Sequence, residues 1–234
     1  MNLYKIADLT VMMECSGETL LKQGETYRIE AGSSASITIR KNAEMLRKDQ
    51  ESYPHLTFND WEYIRTGFAF ASALLDFDGF CLHASAVALD NKAVLFSAPC
   101  GTGKSTHVSL LQKHFGPDKA VIINDDKPAL RLREDAFYVY GTPWSGKSDL
   151  NANIKVPLQA IVFLEQAEEN QIRRLSNKEA VQRLIYQSLR PNSDRDKMSK
   201  LLALLDALLK KTDVYQMGCT VSVDAVKLVY SAVM

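Results

Sequence analysis

Short apolar stretches separated by glycine open the chain. Val11-Met12-Met13, Thr26-Tyr27-Arg28-Ile29 and the alternating Ser36-Ile37-Thr38-Ile39-Arg40 each predict a strand, with Gly17, Gly24 and Gly32 between them. Residues 41–58 are polar and contain Pro54, which predicts an irregular connection. Asn59 or Asp60 then reads as the N-cap of a helix that carries Trp61, Ile64, Phe68 and Leu75 and ends near Gly79. From Phe80 to Leu89 the pattern is that of a strand, Asp90-Asn91-Lys92 is a turn, and Ala93-Val94-Leu95-Phe96 is a second strand. A glycine-rich loop leads into a helix from Lys104 to about His114. Beyond it lie the apolar strand Ala120-Val121-Ile122-Ile123 and short strands around Leu130 and over Phe137 to Tyr140. Residues 142–155 predict an exposed loop and Leu158 to Leu164 a strand. Helices are expected at 177–189, at 196–210 with Leu201, Leu204, Leu205 and Leu208 on one face, and at 222–233.

Strand, loop, helix and buried strand in succession define an α/β class, and the adjacent hairpins predict a mixed sheet rather than a parallel one. With 234 residues the chain fits one domain, read as a β-rich N-terminal portion over 1–58 and a core over 59–234. Lys plus Arg and Asp plus Glu both number 28, so no global field draws in nucleic acid or an anionic membrane. Cys15, Cys81, Cys100 and Cys219 have no metal-ligand or CxxC spacing, which favours free thiols in a reducing compartment. The N-terminus has no signal-peptide layout. The run Leu201 to Leu209 is short and carries Asp206, so neither segment predicts a membrane span. A soluble cytoplasmic protein is the expectation.

The sharpest chemistry is in Ala98-Pro99-Cys100-Gly101-Thr102-Gly103-Lys104-Ser105, followed by Thr106. It fits GxxxxGK[ST], with Ala98 in the place of the first glycine. Gly101 and Gly103 permit backbone angles that turn successive N–H groups into one concavity, at the positive end of the following helix dipole. Pro99, Cys100, Gly101, Thr102, Gly103, Lys104, Ser105 and Thr106 are therefore the candidate nucleotide-binding residues. Lys104 would reach the β- and γ-phosphates and Ser105 would ligate Mg²⁺. Twenty-one positions after Lys104, an apolar strand ends in Asn124-Asp125-Asp126-Lys127. One carboxylate can serve the metal and the other can accept a proton from an attacking hydroxyl. His83, in Leu82-His83-Ala84-Ser85-Ala86, sits on the strand that precedes the loop strand. It is either a satisfied core histidine or a group that meets the γ-phosphate or orients a carboxylate.

Leu82-His83-Ala84-Ser85-Ala86, the GTGKST loop and Ile122-Ile123-Asn124-Asp125-Asp126 together resemble the catalytic domain of HPr kinase/phosphorylase. The same grammar is similar to the nucleotide fold of ATP-dependent phosphoenolpyruvate carboxykinase. Tyr140 to Gly146 and Pro157 to Glu165 resemble the small HPr-kinase-like proteins encoded near peptide-modification enzymes. The resemblance covers roughly 80–190. It implies a phosphoenolpyruvate carboxykinase-like P-loop domain that uses ATP and Mg²⁺. Asp125 would be the base and Asp126 with Ser105 the metal side (the two aspartates being exchangeable), with Lys104 and His83 at the phosphates. Where the family carries a glutamate and an arginine ahead of a glycine, this chain reads Phe137-Tyr138-Val139-Tyr140-Gly141, with neither. The resemblance therefore does not extend to HPr itself as acceptor.

The expectation is ATP-dependent phosphorylation of a hydroxyl, a serine of a peptide or protein such as a precursor peptide. The alternatives are a nucleotide-binding switch or scaffold without turnover, and a small-molecule kinase. Trp144 and Lys147, with Lys155, are the candidate acceptor contacts, on the expectation that the 142–155 loop exposes an aromatic and cations beside the phosphate site.

Overall fold

In the computed structural model, which describes residues 1–30, 34–99, 101–191 and 194–234, the N-terminal apolar runs build a four-stranded sheet. β1 (Asn2–Ile6) and β2 (Leu9–Met13) form a hairpin that turns on Ala7 and Asp8, both at positive φ. β3 (Arg28–Ile29) borders β1, and β4 (Ile37–Ile39) runs parallel to β2. The strand expected over 26–29 is cut to its last two residues. After α1 (Glu18–Gln23), Tyr27 N–H bonds back to Gly24 O and winds the chain into a 3₁₀ turn. Gly32 lies outside the described residues.

The stretch 41–58 is not irregular. Asn42 accepts a hydrogen bond from Met45 N–H at 3.0 Å and caps α2 (Ala43–Ser52), and Pro54 follows just beyond the helix end. α3 (Phe58–Leu74) begins slightly earlier than expected, at a capping box between Thr57 and Asp60. Its buried face is also rotated from the apolar one. Glu62, Thr66, Phe70, Ala71 and Leu74 turn inward, whereas Phe68 is exposed and Trp61 and Ile64 are half-buried. Two polar groups hold that inner face because both are satisfied. Glu62 accepts from Ser16 N–H at 3.0 Å and from Gly17 N–H, and pairs with Lys41 Nζ at 2.7 Å. Thr66 Oγ1 donates to Glu62 O at 2.8 Å.

The second sheet carries the site. The strand expected over 80–89 is two strands, β5 (Gly79–Cys81) and β6 (Ser85–Leu89), interrupted at Leu82 to Ala84. β6 and β7 (Lys92–Ser97) form a hairpin on Asp90 and Asn91, both at positive φ. α4 (Lys104–Phe115) follows β7, and β8 (Ala120–Asn124) returns antiparallel to β6. β9 (Ala129–Arg133) and β10 (Ala136–Tyr140) make the next hairpin. β11 (Lys155–Gln166) is long and serves two neighbourhoods. Its first residues pair with β10, and after a register shift between Leu158 and Ala160 it lies between β7 and β13 (Asp213–Cys219), parallel to both. β12 (Gln171–Arg174) covers the outer edge of β13. The sequence pattern predicted none of β1, β12 and β13.

Helices close both faces of the sheet. α5 (Asn177–Gln187) and α6 (Arg195–Leu209) pack Leu184, Leu201, Leu205 and Leu208 against Leu95, Ile161 and Phe163. On the other face α4 and α7 (Val223–Val233) pack Val108, Leu111, Val226 and Val229 against Val94, Phe96 and Val162. Central strands buried on both sides read as continuous apolar runs, as β7 and β11 do. The fold is mixed α/β, and among the described residues no helix is long and apolar enough to cross a membrane.

Candidate functional site

Three chain segments meet where β7 and β8 end and β6 begins. From Ser97 the chain passes through Ala98 to Gly103 and enters α4. Gly101 has φ +81° and Gly103 φ +108°, and a Cβ at either would meet nothing within 4 Å. Backbone angle rather than space therefore demands glycine there. Lys104 opens α4 but does not face solvent, against the usual expectation for a helix start. It is 8% exposed, and its Nζ folds back to donate to Ala98 O at 2.9 Å and to Pro99 O at 3.4 Å. Thr102 Oγ1 also donates to Pro99 O, at 2.9 Å. Ser105 and Thr106 are exposed in the first turn of α4. Cys100 lies outside the described residues.

Asn124, at the end of β8, shapes the turn that carries the acidic pair. Its Oδ1 accepts from Asp126 N–H at 2.9 Å and from Lys127 N–H at 2.7 Å, while its Nδ2 donates to Thr142 O at 2.9 Å. The two carboxylates are thereby given different surroundings. Asp125 is buried and accepts the Ser85 hydroxyl proton at 2.5 Å. Asp126 is half-buried, paired with the Lys127 ammonium and 3.5 Å from His83 Nε2.

His83 sits in the break between β5 and β6. Its N–H donates to Gln187 O at 2.9 Å, its Nδ1 is 3.0 Å from Gln187 Oε1, and its carbonyl accepts from Ser97 Oγ at 2.8 Å. The residue thus ties the end of β7 to the end of α5. Burial and then the charge of Lys104 hold the imidazole below its ordinary pKa. His83 is half-buried and lies beside Asp126.

The 142–155 segment is only partly the surface loop expected. Trp144 is 1% exposed, stacks on Phe70 with ring centroids 5.0 Å apart, and donates from Nε1 to Thr66 Oγ1 at 3.2 Å. It belongs to the packing between the loop and α3 and is not an acceptor contact. A ring that finds both an aromatic face and a hydrogen-bond acceptor gains more inside than at the surface. Lys155 stays exposed but is engaged elsewhere. It opens β11, pairs with Asp8 at 3.1 Å and lies 4.6 Å over the Tyr138 ring. Lys147 is exposed as well. The loop does return to the acidic pair, but through its backbone. Leu150 O accepts from Asp125 N–H at 3.1 Å, and Gly146, at φ +71°, lies so close that a Cβ there would be 3.0 Å from Asp126 Cβ.

A cleft of about 630 Å³ adjoins the Ala98–Thr102 loop. Its far wall is α5, which presents Gln182, Arg183, Tyr186 and Gln187, with Phe163 and Glu165 of β11 between. Arg183 is held by an ion pair to Glu165 at 2.8 Å. Sequence reasoning missed Ser85, Gln187, Arg183 and Tyr186. Ser85 was within reach, being two residues from His83 at the start of β6, but the α5 residues carry no local signal. Among the described residues no three His, Cys, Asp or Glu side chains cluster as a ready-made metal site. Of the oxygen donors that the sequence nominates for Mg²⁺, Asp126 is half-buried and Ser105 exposed.

The profile of the family described as SynChlorMet cassette protein ScmC matches residues 69–221, from within α3 to just before α7, and the chain belongs to that family. No curated protein matches it. A solved structure of the Hpr(Ser) kinase/phosphatase from Coxiella burnetii is similar over 65% of this chain and 95% of that one, with 11% sequence identity and a TM-score of 0.39.

Proposed function

We propose that this protein is an ATP-dependent phosphotransferase with a phosphoenolpyruvate carboxykinase-like nucleotide site, and that its acceptor is a hydroxyl, a serine of a peptide or protein. The observation that carries the reading is the convergence at one sheet edge of Lys104, the Asp125–Asp126 pair and His83, joined by the Ser85–Asp125 and His83–Asp126 contacts. A phosphate loop alone would bind a nucleotide; the second carboxylate beside it gives a hydroxyl somewhere to leave its proton.

In this reading the Gly101–Thr106 backbone and the α4 N-terminus hold the phosphates, and Lys104 leaves the loop carbonyls for the β- and γ-phosphate oxygens. The nucleoside occupies the cleft walled by Arg183 and Tyr186. Asp126 and Ser105 would hold Mg²⁺, which supplies charge stabilisation to the transferring group. The acceptor oxygen bonds to the γ-phosphorus as the bond to the β,γ-bridging oxygen breaks. The hydroxyl proton passes to Asp125, and ADP leaves. Ser85 fixes one carboxylate oxygen of Asp125 and so aims the other. His83, locked by Gln187, positions Asp126.

Calorimetric titration with Mg²⁺-ATP, beside transfer of label from γ-labelled ATP to a serine peptide, tests the proposal. Lys104→Met keeps the buried stem but removes the cation. It should weaken nucleotide binding about 10- to 100-fold, the worth of a charged hydrogen bond. Equal affinity in wild type and variant would end the nucleotide reading. Binding without transfer to any hydroxyl acceptor would leave a nucleotide-binding switch.

A further inference from the structure

A second concavity, of about 550 Å³, lies away from the phosphate loop, between α2 and α3. Its apolar lining is exposed to an unusual degree, with Met45 44%, Tyr53 53% and Phe68 44% accessible around a half-buried Trp61. Aromatic and methionine side chains gathered in one open groove mark a recognition surface more often than chance exposure. The Trp61 Nε1–H is buried and has no hydrogen-bond partner among the described residues. A buried indole N–H ordinarily finds an acceptor, and this one belongs to a groove wall.

The charges around the groove are unequal. Arg40, Lys41, Arg65 and Arg190 line it against Asp49 and Glu62 only. Both acids are committed inside the protein. Asp49 takes both hydrogen bonds of Arg65 at 2.6 Å, and Glu62 takes Lys41 and the Ser16 and Gly17 amides. Arg40 and Arg190 are exposed and make no ion pair among the described residues. Two uncommitted guanidinium groups therefore flank an aromatic floor. Since the whole chain is charge-balanced, this local excess suits an acidic peptide better than a polyanion drawn by a long-range field.

The groove also connects to the site. Gln187 holds both the backbone and the ring of His83, and Leu189 N–H bonds to Cys81 O at 3.0 Å, so residues 187–189 run alongside 81–83. Arg190 is the next residue and lies on the groove. Three residues span on the order of 10 Å at full extension, so a short peptide can reach from the groove to the acidic pair.

We propose that the α2–α3 groove docks an acidic segment of the acceptor peptide, with an aliphatic or aromatic side chain on Trp61 and Phe68 and its carboxylates read by Arg40 and Arg190. The proposal rests on the kinase reading for the word acceptor but not for the binding itself. Fluorescence anisotropy on the full chain tests it without ATP. The probes are a labelled twelve-residue peptide of alternating Glu with Leu and Phe, its Lys-for-Glu counterpart and a single-stranded DNA oligonucleotide.

The acidic peptide should bind at least about tenfold more tightly than the basic one, with Trp61 emission shifting on binding. The exposed double substitution Arg40→Glu with Arg190→Glu should reverse the preference, and Phe68→Ser, which removes the apolar contact without adding charge, should weaken both peptides. Equal binding of the two peptides, no binding of either, no effect of the double variant, or displacement by the oligonucleotide would each overturn the proposal. Failure of the kinase reading shows separately, as absent label transfer with the anisotropy result intact.

Discussion

Ser85 Oγ donates to Asp125 Oδ1 at 2.5 Å, from the first residue of β6 to the first residue beyond β8. Ser85 is fully buried and this is its side chain's one hydrogen bond among the described residues, so the serine orients the carboxylate. Asp125→Asn can still accept that bond through its amide oxygen but cannot take a proton. Label transfer should fall about 10²–10⁴-fold with nucleotide affinity retained. Ser85→Ala should lower transfer about tenfold, less than Asp125→Asn, because the base remains but is no longer aimed. Transfer rates near wild type in Asp125→Asn would shift the base to Asp126.

The stack of Trp144 on Phe70 makes a contrary prediction to the one an exposed loop would give. Trp144→Ala should cost about 3–5 kcal/mol of stability, as removal of a buried large aromatic does. Trp144→Phe retains the stack and loses only the hydrogen bond to Thr66, about 1 kcal/mol. Urea midpoints of the two variants decide this. A Trp144→Ala protein of wild-type stability would mean that the indole is not packed where it is described.

His107 supplies a pH dependence. Burial against Phe96 lowers its pKa to about 4, from an ordinary value near 6.5, and its Nε2 is buried without a hydrogen-bond partner among the described residues. The unfolded chain therefore binds a proton more readily than the folded one. Stability from this residue is complete above about pH 6.5 and is lost as pH falls from there through about 4. The full loss is at most about 3 kcal/mol. His83, also held below its ordinary pKa, acts in the same direction. Urea unfolding at pH 7.5 and 4.5 should show a smaller acid loss in His107→Phe than in wild type. Equal losses would assign the slope to other groups.

What the sequence made legible was local. The β6–β7 hairpin, the loop, α4 and the acidic turn at the end of β8 are each written in a few contiguous residues, because turns, glycine angles and caps are set by near neighbours. The inward face of α3 was not legible, for the opposite reason. Glu62 is buried only because the Ser16 and Gly17 amides and Lys41, far away in the chain, come to meet it. Trp144 went inward because Thr66 and Phe70 offer it a bond and a ring, and nothing in Thr142 to Lys147 announces them. Gln187, the partner of His83, is equally silent in sequence.

The two-residue turn at Asp90 and Asn91 also has a kinetic meaning. It sets Ser85 opposite Phe96, and after α4 the chain returns as β8 beside β6, so Ser85 meets Asp125 across 40 residues. Gln187 must find His83 across 104 residues. The shorter of two closures loses less entropy, and chains gather such contacts first. On a chain still emerging from the ribosome, the loop and the acidic turn can meet well before α5 has been made. The wall that α5 gives the cleft is then the last part of the site to arrive.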